Sequence, residues 1–333
     1  MRIAIIGAGA IGGYVGIRLA LAGEEVTFIA RNANLQALRT QGIRLINADG
    51  SEETVAKVRA TDNYAEAGVQ DVVILAMKAH QVESIVDEVD KLFGPDTVVV
   101  PMQNGIPYWY FHEFKGEYAG TRVTSVDPTG RIYAKIPGER VIGCVVYPAA
   151  ELISPGVIKH VEGKRFPLGE PDGSISERVS KLSACFVNAG LHAPVLDDIR
   201  SEIWLKLWGN LTFNPISALS RATLAGICQF PPTRAVAAAM MGEAQEIGIK
   251  LGAVFRVPMD KRIAGAEKVG HHKTSMLQDV EAARTLEIDA LLGSVVELGR
   301  LTKTATPHID TVFALTKLLA KSLDEGWPQA GNA

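Results

Sequence analysis

The sequence predicts an α/β fold: a half in which strands and helices alternate, followed by a half that is nearly all helix. Three observations predict it. Met1 to Arg31 reads as a strand, a glycine turn, a helix and a second strand; the alternation continues to about Leu196; and from Asp197 the character changes to nearly continuous helix. The expected domains are residues 1–197 and 198–325, with a tail over 326–333.

Arg2 to Ile6 is a short, branched, apolar run of the kind buried in a parallel sheet, and it leads straight into Gly7, Gly9 and Gly12, spaced G-x-G-x-x-G. Gly7 permits a tight turn, Gly9 leaves no Cβ where a pyrophosphate must approach, and Gly12 lets the next helix lie close to the strand. The backbone of Gly7, Ala8, Gly9, Ala10, Ile11 and Gly12 is the expected phosphate cradle, with the positive end of a helix dipole behind it. The glycines alone would also describe a flexible loop. Their context argues otherwise: a helix runs from about Gly12 to Ala22, Gly23 supplies its stop and Val26 to Ala30 forms a second strand. Together these make an N-terminal Rossmann-type dinucleotide-binding domain, ahead of an all-helical C-terminal domain.

The end of that second strand selects the cofactor, because an acid there would bind the adenosine ribose of NAD and repel a 2′-phosphate. Glu24 and Glu25 precede the strand, whereas Ala30, Arg31 and Asn32 end it. Arg31 can offer a planar, charge-assisted fork to a phosphate, so NADP(H) is expected over NAD(H). The plainer reading is a solvated arginine at a strand end.

With 333 residues, 47% hydrophobic and 21% charged, the chain has the makeup of a globular protein with room for two cores. A net charge of −3 without a long basic block gives no electrostatic footprint for nucleic acid. Cys144, Cys185 and Cys228 are widely spaced, odd in number and lack a C-x-x-C pair. That argues against a disulfide framework and against a zinc knot, so no metal is expected, and it fits reduced thiols in a cytoplasmic protein. The first strand begins almost at Met1, leaving no room for a signal peptide, and no apolar run reaches the length of a membrane span.

Beyond Arg31 the expected elements are a helix over Asn34 to Gln41, a polar strand-and-turn region to about Asn63, a strand over Asp71 to Met77, a helix over Gln81 to Phe93 and a strand over Thr97 to Met102. In open α/β sheets ligands collect outside the carboxyl ends of the strands, which is where Lys78 and Gln103-Asn104-Gly105 emerge. A solvated lysine and a common Asn-Gly turn are the alternatives. Gly120 to Gly138 reads as an irregular insertion of no legible purpose, with turns at Asp127-Pro128-Thr129-Gly130 and Pro137-Gly138. Strands are then expected over Val141 to Tyr147, Gly156 to Val161 and Lys164 to Leu168, a helix over Ser174 to Asn188 and a short strand over Leu191 to Leu196.

In the second half, Asp198 to Leu219 is a helix on which Lys206, Asn210 and Asn214 recur every four residues and so share a face. Trp204, Leu207, Trp208, Leu211, Phe213 and Ile216 make it too apolar for a surface rod. A lysine and two amides there must be paired or line a wet cleft, although a snorkelling lysine and backbone-bound asparagines satisfy the same pattern. Pro215 removes one helical hydrogen bond and predicts a kink. Ser275 and Gln278 fit a capping box opening a long helix that reaches about Arg300. Along it, Met276, Val280, Ala283, Leu291, Val295 and Leu298 form a stripe with Glu287 in its middle. Lys206 is the expected partner of that carboxylate, and Arg284 the structural alternative.

At these residues the sequence resembles the ketopantoate reductase family (2-dehydropantoate 2-reductases) over nearly the whole chain. The matching pieces are GAGAIG at Gly7 to Gly12, Arg31, AMKAHQ around Lys78, QNG at Gln103 to Gly105, PGVIKH at Pro155 to His160, KLWGNLTFNPISAL from Lys206, and SMLQDVEAARTLEID from Ser275 to Asp289. The resemblance implies that Lys206 is the proton donor and Glu287 its companion in catalysis, that Asn210, Asn214 and Ser275 bind substrate, and that Arg31, Lys78 and Asn104 touch NADPH. Asn104, near the nicotinamide end, is assigned to the substrate as well, and Glu287 to the cofactor. The chain departs from the family pattern at Pro107, in the length of Gly120 to Gly138, and at Leu224, where some members place a substrate-binding asparagine.

The implied reaction is hydride transfer from NADPH to the keto carbon of a small 2-oxo acid, with the Lys206 ammonium protonating the oxygen. The cofactor belongs to the first domain and the acid to the second, so the expected site draws on both, and closure on binding fits it. Two rivals stand beside ketopantoate reduction in pantothenate biosynthesis: a related reductase of another 2-oxo acid or carbonyl, and a non-catalytic NADPH-binding sensor. Neither nucleic acid nor membrane is an expected partner, and a homodimer is left open.

Overall fold

The computed structural model describes residues 1–326. The chain clusters into two compact units, one of Met1–Arg122 with Asp127–Ile199, the other of Val123–Val126 with the chain from Arg200 onward. Among the described residues no helix is long and apolar enough to cross a membrane.

The first unit contains β1 (Arg2–Ile6), α1 (Ala10–Leu21), β2 (Glu25–Ile29), α2 (Asn32–Gln41), β3 (Ile43–Ile46), β4 (Glu52–Val55), β5 (Arg59–Thr61), α3 (Tyr64–Ala67), β6 (Gln70–Leu75) and β7 (Phe93–Pro101). After these come α4 (Arg131–Lys135), β8 (Gly143–Cys144), β9 (Ala149–Ser154), β10 (Val157–Glu162), β11 (Leu168–Gly169) and α5 (Glu177–Asn188). Five strands form a parallel sheet in the order β5-β2-β1-β6-β7. Strand order reverses at β1, so a crevice opens at its carboxyl end between β2 and β6. A second sheet, β4-β3-β10-β9, covers the other side of α1. Small residues make that sandwich close: a Cβ on Gly16 would lie 2.3 Å from the Phe28 ring under α1, and one on Gly13 would lie 2.5 Å from Ile158 of the second sheet.

Several elements differ from expectation. The helix expected over Gln81 to Phe93 is two 3₁₀ segments, Ala79–Ile85 and Val89–Leu92, after which Phe93 opens β7. Val82, Ile85, Val89 and Leu92 are buried, and a three-residue spacing serves a 3₁₀ turn as well as an α-helix. The edge strand β9 was not expected; four of its six residues are exposed, so it lacks the alternation that marks a half-buried strand. The strands expected over Val141 to Tyr147 and Lys164 to Leu168 shorten to the two-residue pair β8 and β11, and Leu191 to Leu196 joins only through isolated bridges such as Arg165 with His192.

The second unit is built from α6 (Ile199–Ser220), α7 (Leu224–Gln229), α8 (Pro231–Lys250), α9 (Met259–Lys268), α10 (Ser275–Glu281), α11 (Ser294–Leu301) and α12 (Pro307–Asp324). α6 is its core rod and runs on through Pro215. Trp204 and Trp208 are fully buried; the Trp208 indole donates to the Met241 carbonyl of α8 at 2.7 Å, and Phe255 meets its ring edge-on at 4.9 Å. The long helix expected from Ser275 is interrupted. α10 ends at Glu281, Ala283 takes a positive φ of 49°, and a π turn over Asp289–Gly293 leads into α11. Its N-cap is Thr274, whose hydroxyl accepts from the Leu277 amide at 3.3 Å, so Ser275 is the first helical residue and not the cap. Of the expected tail, the part beyond Gly326 lies outside the described residues.

Candidate active site

The glycine turn has the geometry its spacing requires. Gly7 leaves β1 with φ +97°, and its amide donates to Ile29 O at 3.1 Å, which ties the turn to the end of β2. A Cβ on Gly12 would sit 2.1 Å from Gly7 O and 2.8 Å from Ala76 Cβ, so only glycine lets α1 start this close. A Cβ on Gly9 would meet no protein atom within 4 Å, which leaves open space above the turn. α1 begins at Ala10, two residues earlier than the sequence suggests, and its first hydrogen bond runs from Gly13 N to Gly9 O at 2.8 Å. The amides of Ala10, Ile11 and Gly12 therefore have no carbonyl of their own helix beneath them, and Gly9 caps without a side chain. These residues fit the diphosphate of a dinucleotide: a cradle that a Cβ would fill, and amides aimed outward from a helix start.

Beside the turn, a cavity of 250 Å³ is lined by Gly7, Ala8, Gly9, Ala30, Arg31, Asn34, Tyr64, Gln81 and Ser84, among others. Asn34 braces it, donating from Nδ2 to Ala8 O at 2.6 Å and accepting from Gly156 N at 2.8 Å. At the carboxyl ends of β6 and β7, Gln103 donates from Nε2 to Leu75 O at 2.7 Å and Met77 O at 2.9 Å, while Gln81 accepts from Lys78 N at 3.1 Å. Lys78 and Asn104 stand half-buried on these braced loops, and Gly105 turns the chain with φ +91°. Sequence reasoning chose Lys78 and Asn104 and missed the bracing Asn34 and Gln103, although Gln103 lay inside its QNG motif.

In the second unit, Lys206, Asn210 and Asn214 share a face of α6; the first two are half-buried and Asn214 is 6% exposed. Asn214 Nδ2 donates to Ser275 Oγ at 3.3 Å, so two of the expected substrate residues meet. Because the Ser275 oxygen accepts there, its own O–H is left to donate to a ligand. Arg284 is engaged by Asp279 at 2.8 Å. Glu287 is half-buried at the entry to the π turn, and its neighbour Asp289 pairs with Lys317 of α12 at 2.8 Å. A local π geometry of this kind re-aims side chains and is frequent at functional sites.

The insertion over Gly120 to Gly138 acquires a purpose here. Its residues Val123–Val126 cluster with the second unit, where Glu297 of α11 gathers them. Glu297 Oε1 accepts from Thr124 N and Oγ1, both at 2.7 Å, and Oε2 from Ser125 N at 2.7 Å and Oγ at 2.5 Å. Burial pushes this carboxyl up, but the four donors outweigh it and hold the group below the usual carboxylate range.

Comparison with known proteins agrees with these features. The family described as ketopantoate reductase PanE/ApbA matches residues 3–173, and its C-terminal counterpart matches residues 198–320. A 2-dehydropantoate 2-reductase of Mesorhizobium japonicum is 56% identical, over 96% of this chain and 98% of its own. The crystal structure of a provisionally named ketopantoate reductase from Ralstonia solanacearum superposes with a TM-score of 0.92 at 46% identity, covering 97% of this chain and 98% of that one. D-mandelate dehydrogenase with NADH and anilino(oxo)acetate superposes at 0.83 with 25% identity, over 97% of this chain and 100% of that one. A parallel sheet with a glycine cradle at its switch point, joined to a helical unit bearing lysine and amides, defines a dinucleotide-dependent oxidoreductase. Within that class, the chain belongs to the ketopantoate reductase family.

Proposed function

We propose that the protein is an NADPH-dependent 2-dehydropantoate 2-reductase, reducing ketopantoate to pantoate in pantothenate biosynthesis. The observation that carries this reading is the polar face of α6, Lys206 with Asn210 and Asn214, with Ser275 hydrogen-bonded to Asn214. In the proposed division of labour, residues 1–197 hold the cofactor through Gly7 to Gly12, Arg31, Lys78 and Asn104, and residues 198–325 supply the acid and the substrate contacts. Bound NADPH supplies the hydride. The Lys206 ammonium polarises the keto oxygen and protonates it as negative charge builds there, a contribution typically worth about 10²- to 10⁴-fold in rate. Asn210, Asn214 and Ser275 orient the substrate, and Glu287 holds its hydroxyls or the ammonium. The enzyme acts in the cytoplasm on a small 2-oxo acid, and light scattering tests whether it does so as a homodimer.

Lys206→Ala is the direct test. Turnover should fall by about 10²-fold or more while NADPH still binds, because the cofactor contacts lie elsewhere; near-normal turnover in this variant would remove lysine from its role. One further reading has an observation behind it. The likeness to D-mandelate dehydrogenase bound to anilino(oxo)acetate favours a reductase of another 2-oxo acid on the same machinery. Comparing kcat/KM for ketopantoate and for phenylglyoxylate separates the two, and preference for the aryl acid would displace ketopantoate.

A further inference from the structure

Tyr64 is the first residue of α3 and only 3% exposed, and the group beside its hydroxyl is the Arg31 guanidinium, a donor, so among the described residues the Tyr64 O–H has no acceptor. Leaving a buried O–H unpaired is costly, and such groups usually find a partner or serve a ligand. Tyr64 lines the same cavity as Arg31, at the end of β2. Its surroundings are those of a donor site. The Arg31 guanidinium lies close enough to offset part of the burial that pushes the phenol up to about 12, so the hydroxyl keeps its proton across the working range. Arg31 is also the N-cap of α2, a cap without a side-chain hydrogen bond, and the first helical bond there runs from Leu35 N to Arg31 O at 3.2 Å. Guanidinium, helix start and phenol all donate into a cavity whose described lining includes no carboxylate, Glu88 acting on Tyr64 from outside that lining. The ligand chemistry that best suits two neutral donors beside a guanidinium is an oxyanion.

We infer that Tyr64 is a second determinant for the 2′-phosphate of NADPH, donating its O–H to the phosphate that Arg31 grips. The inference rests on the NADPH reading and sharpens it, since it assigns the choice between the two nicotinamide cofactors to a buried hydroxyl as well as to an exposed arginine. It also separates function from stability. Tyr64→Phe deletes a buried O–H that lacks an acceptor and keeps the ring, so the cofactor-free protein should melt close to or above the wild-type temperature. The same variant should raise KM for NADPH about 10- to 150-fold relative to KM for NADH, the loss expected for one hydrogen bond to a charged group.

The experiment measures KM for both cofactors, and the affinities for adenosine 2′,5′-bisphosphate and for 5′-AMP, in wild type and Tyr64→Phe. Support is a selective loss for NADPH and the bisphosphate, with 5′-AMP binding alike in the two proteins. Equal losses for all four ligands mean that Tyr64 merely shapes the cavity, and an unaltered NADPH-to-NADH ratio means that it does not touch the phosphate; either overturns the inference. A wild-type protein that itself prefers NADH defeats the underlying cofactor reading instead, so the two failures are distinguishable.

Discussion

At the scale of single residues, two glycines that the G-x-G-x-x-G motif treats alike do different work. Gly12 is hemmed in by backbone: a methyl group 2.1 Å from Gly7 O has nothing flexible to push aside. Gly12→Ala should therefore destabilise the fold by about 1–3 kcal/mol or more, as overpacking does, with a matching drop in melting temperature. Gly9 has φ −79° and open space before it, so Gly9→Ala should cost no more than about 1 kcal/mol of stability as a poorer helix cap. Its NADPH affinity should nevertheless fall about tenfold, read by fluorescence titration, because the methyl group fills the open space proposed for the diphosphate. The G-x-G-x-x-G spacing was legible because each glycine answers a local steric demand. Thr274 was not chosen over Ser275 because both hydroxyls suit a cap, and only the bond to Leu277 N decides between them. Tyr64 gave no signal, since nothing in a sequence shows that a buried hydroxyl lacks an acceptor.

At the scale of elements, the alternation of strands and helices was readable from short apolar runs, and the face of α6 from a four-residue repeat. What failed were distinctions that periodicity does not make. Val82 to Leu92 bury the same apolar positions in 3₁₀ turns as they would in an α-helix, and the stripe from Met276 to Leu298 continues across a break at Ala283 and a π turn. The four donors on Glu297 were invisible because they join residues more than 170 positions apart. They predict an acid dependence. A carboxyl held below its unfolded 4.5 contributes stability that is complete above that value and is lost as pH falls through its lower folded value. Glu297→Gln should cost about 1.5–3 kcal/mol near neutral pH, the range for bonds to a charged acceptor. In urea melts the gap from wild type should shrink as pH falls below 4.5 and through the lower folded value, where the wild-type carboxyl becomes protonated; a gap independent of pH would show that the charge is irrelevant.

At the scale of the whole molecule, the sequence divides into a cofactor-binding half and a helical half, each recognisable by its own pattern. Ligand binding should register in the stability of the protein. NADPH at about a hundred times its dissociation constant should add about 2.7 kcal/mol, seen as a raised melting temperature, and about 1.4 kcal/mol in Gly9→Ala at the same concentration if its affinity is tenfold weaker. The proposed substrate contacts are scattered over α6 and the segment from Ser275, which is why family resemblance pointed to them more readily than any local rule. One detail of connectivity bears on how such a protein could be recombined. Because Val123–Val126 belongs with the helices and is gripped by Glu297, a crossover placed at Arg200 would carry a recipient glutamate away from the partners it evolved with. Chimeras between relatives should tolerate that junction only when the four-residue piece travels with the helical segment, so the heritable module is discontinuous along the gene.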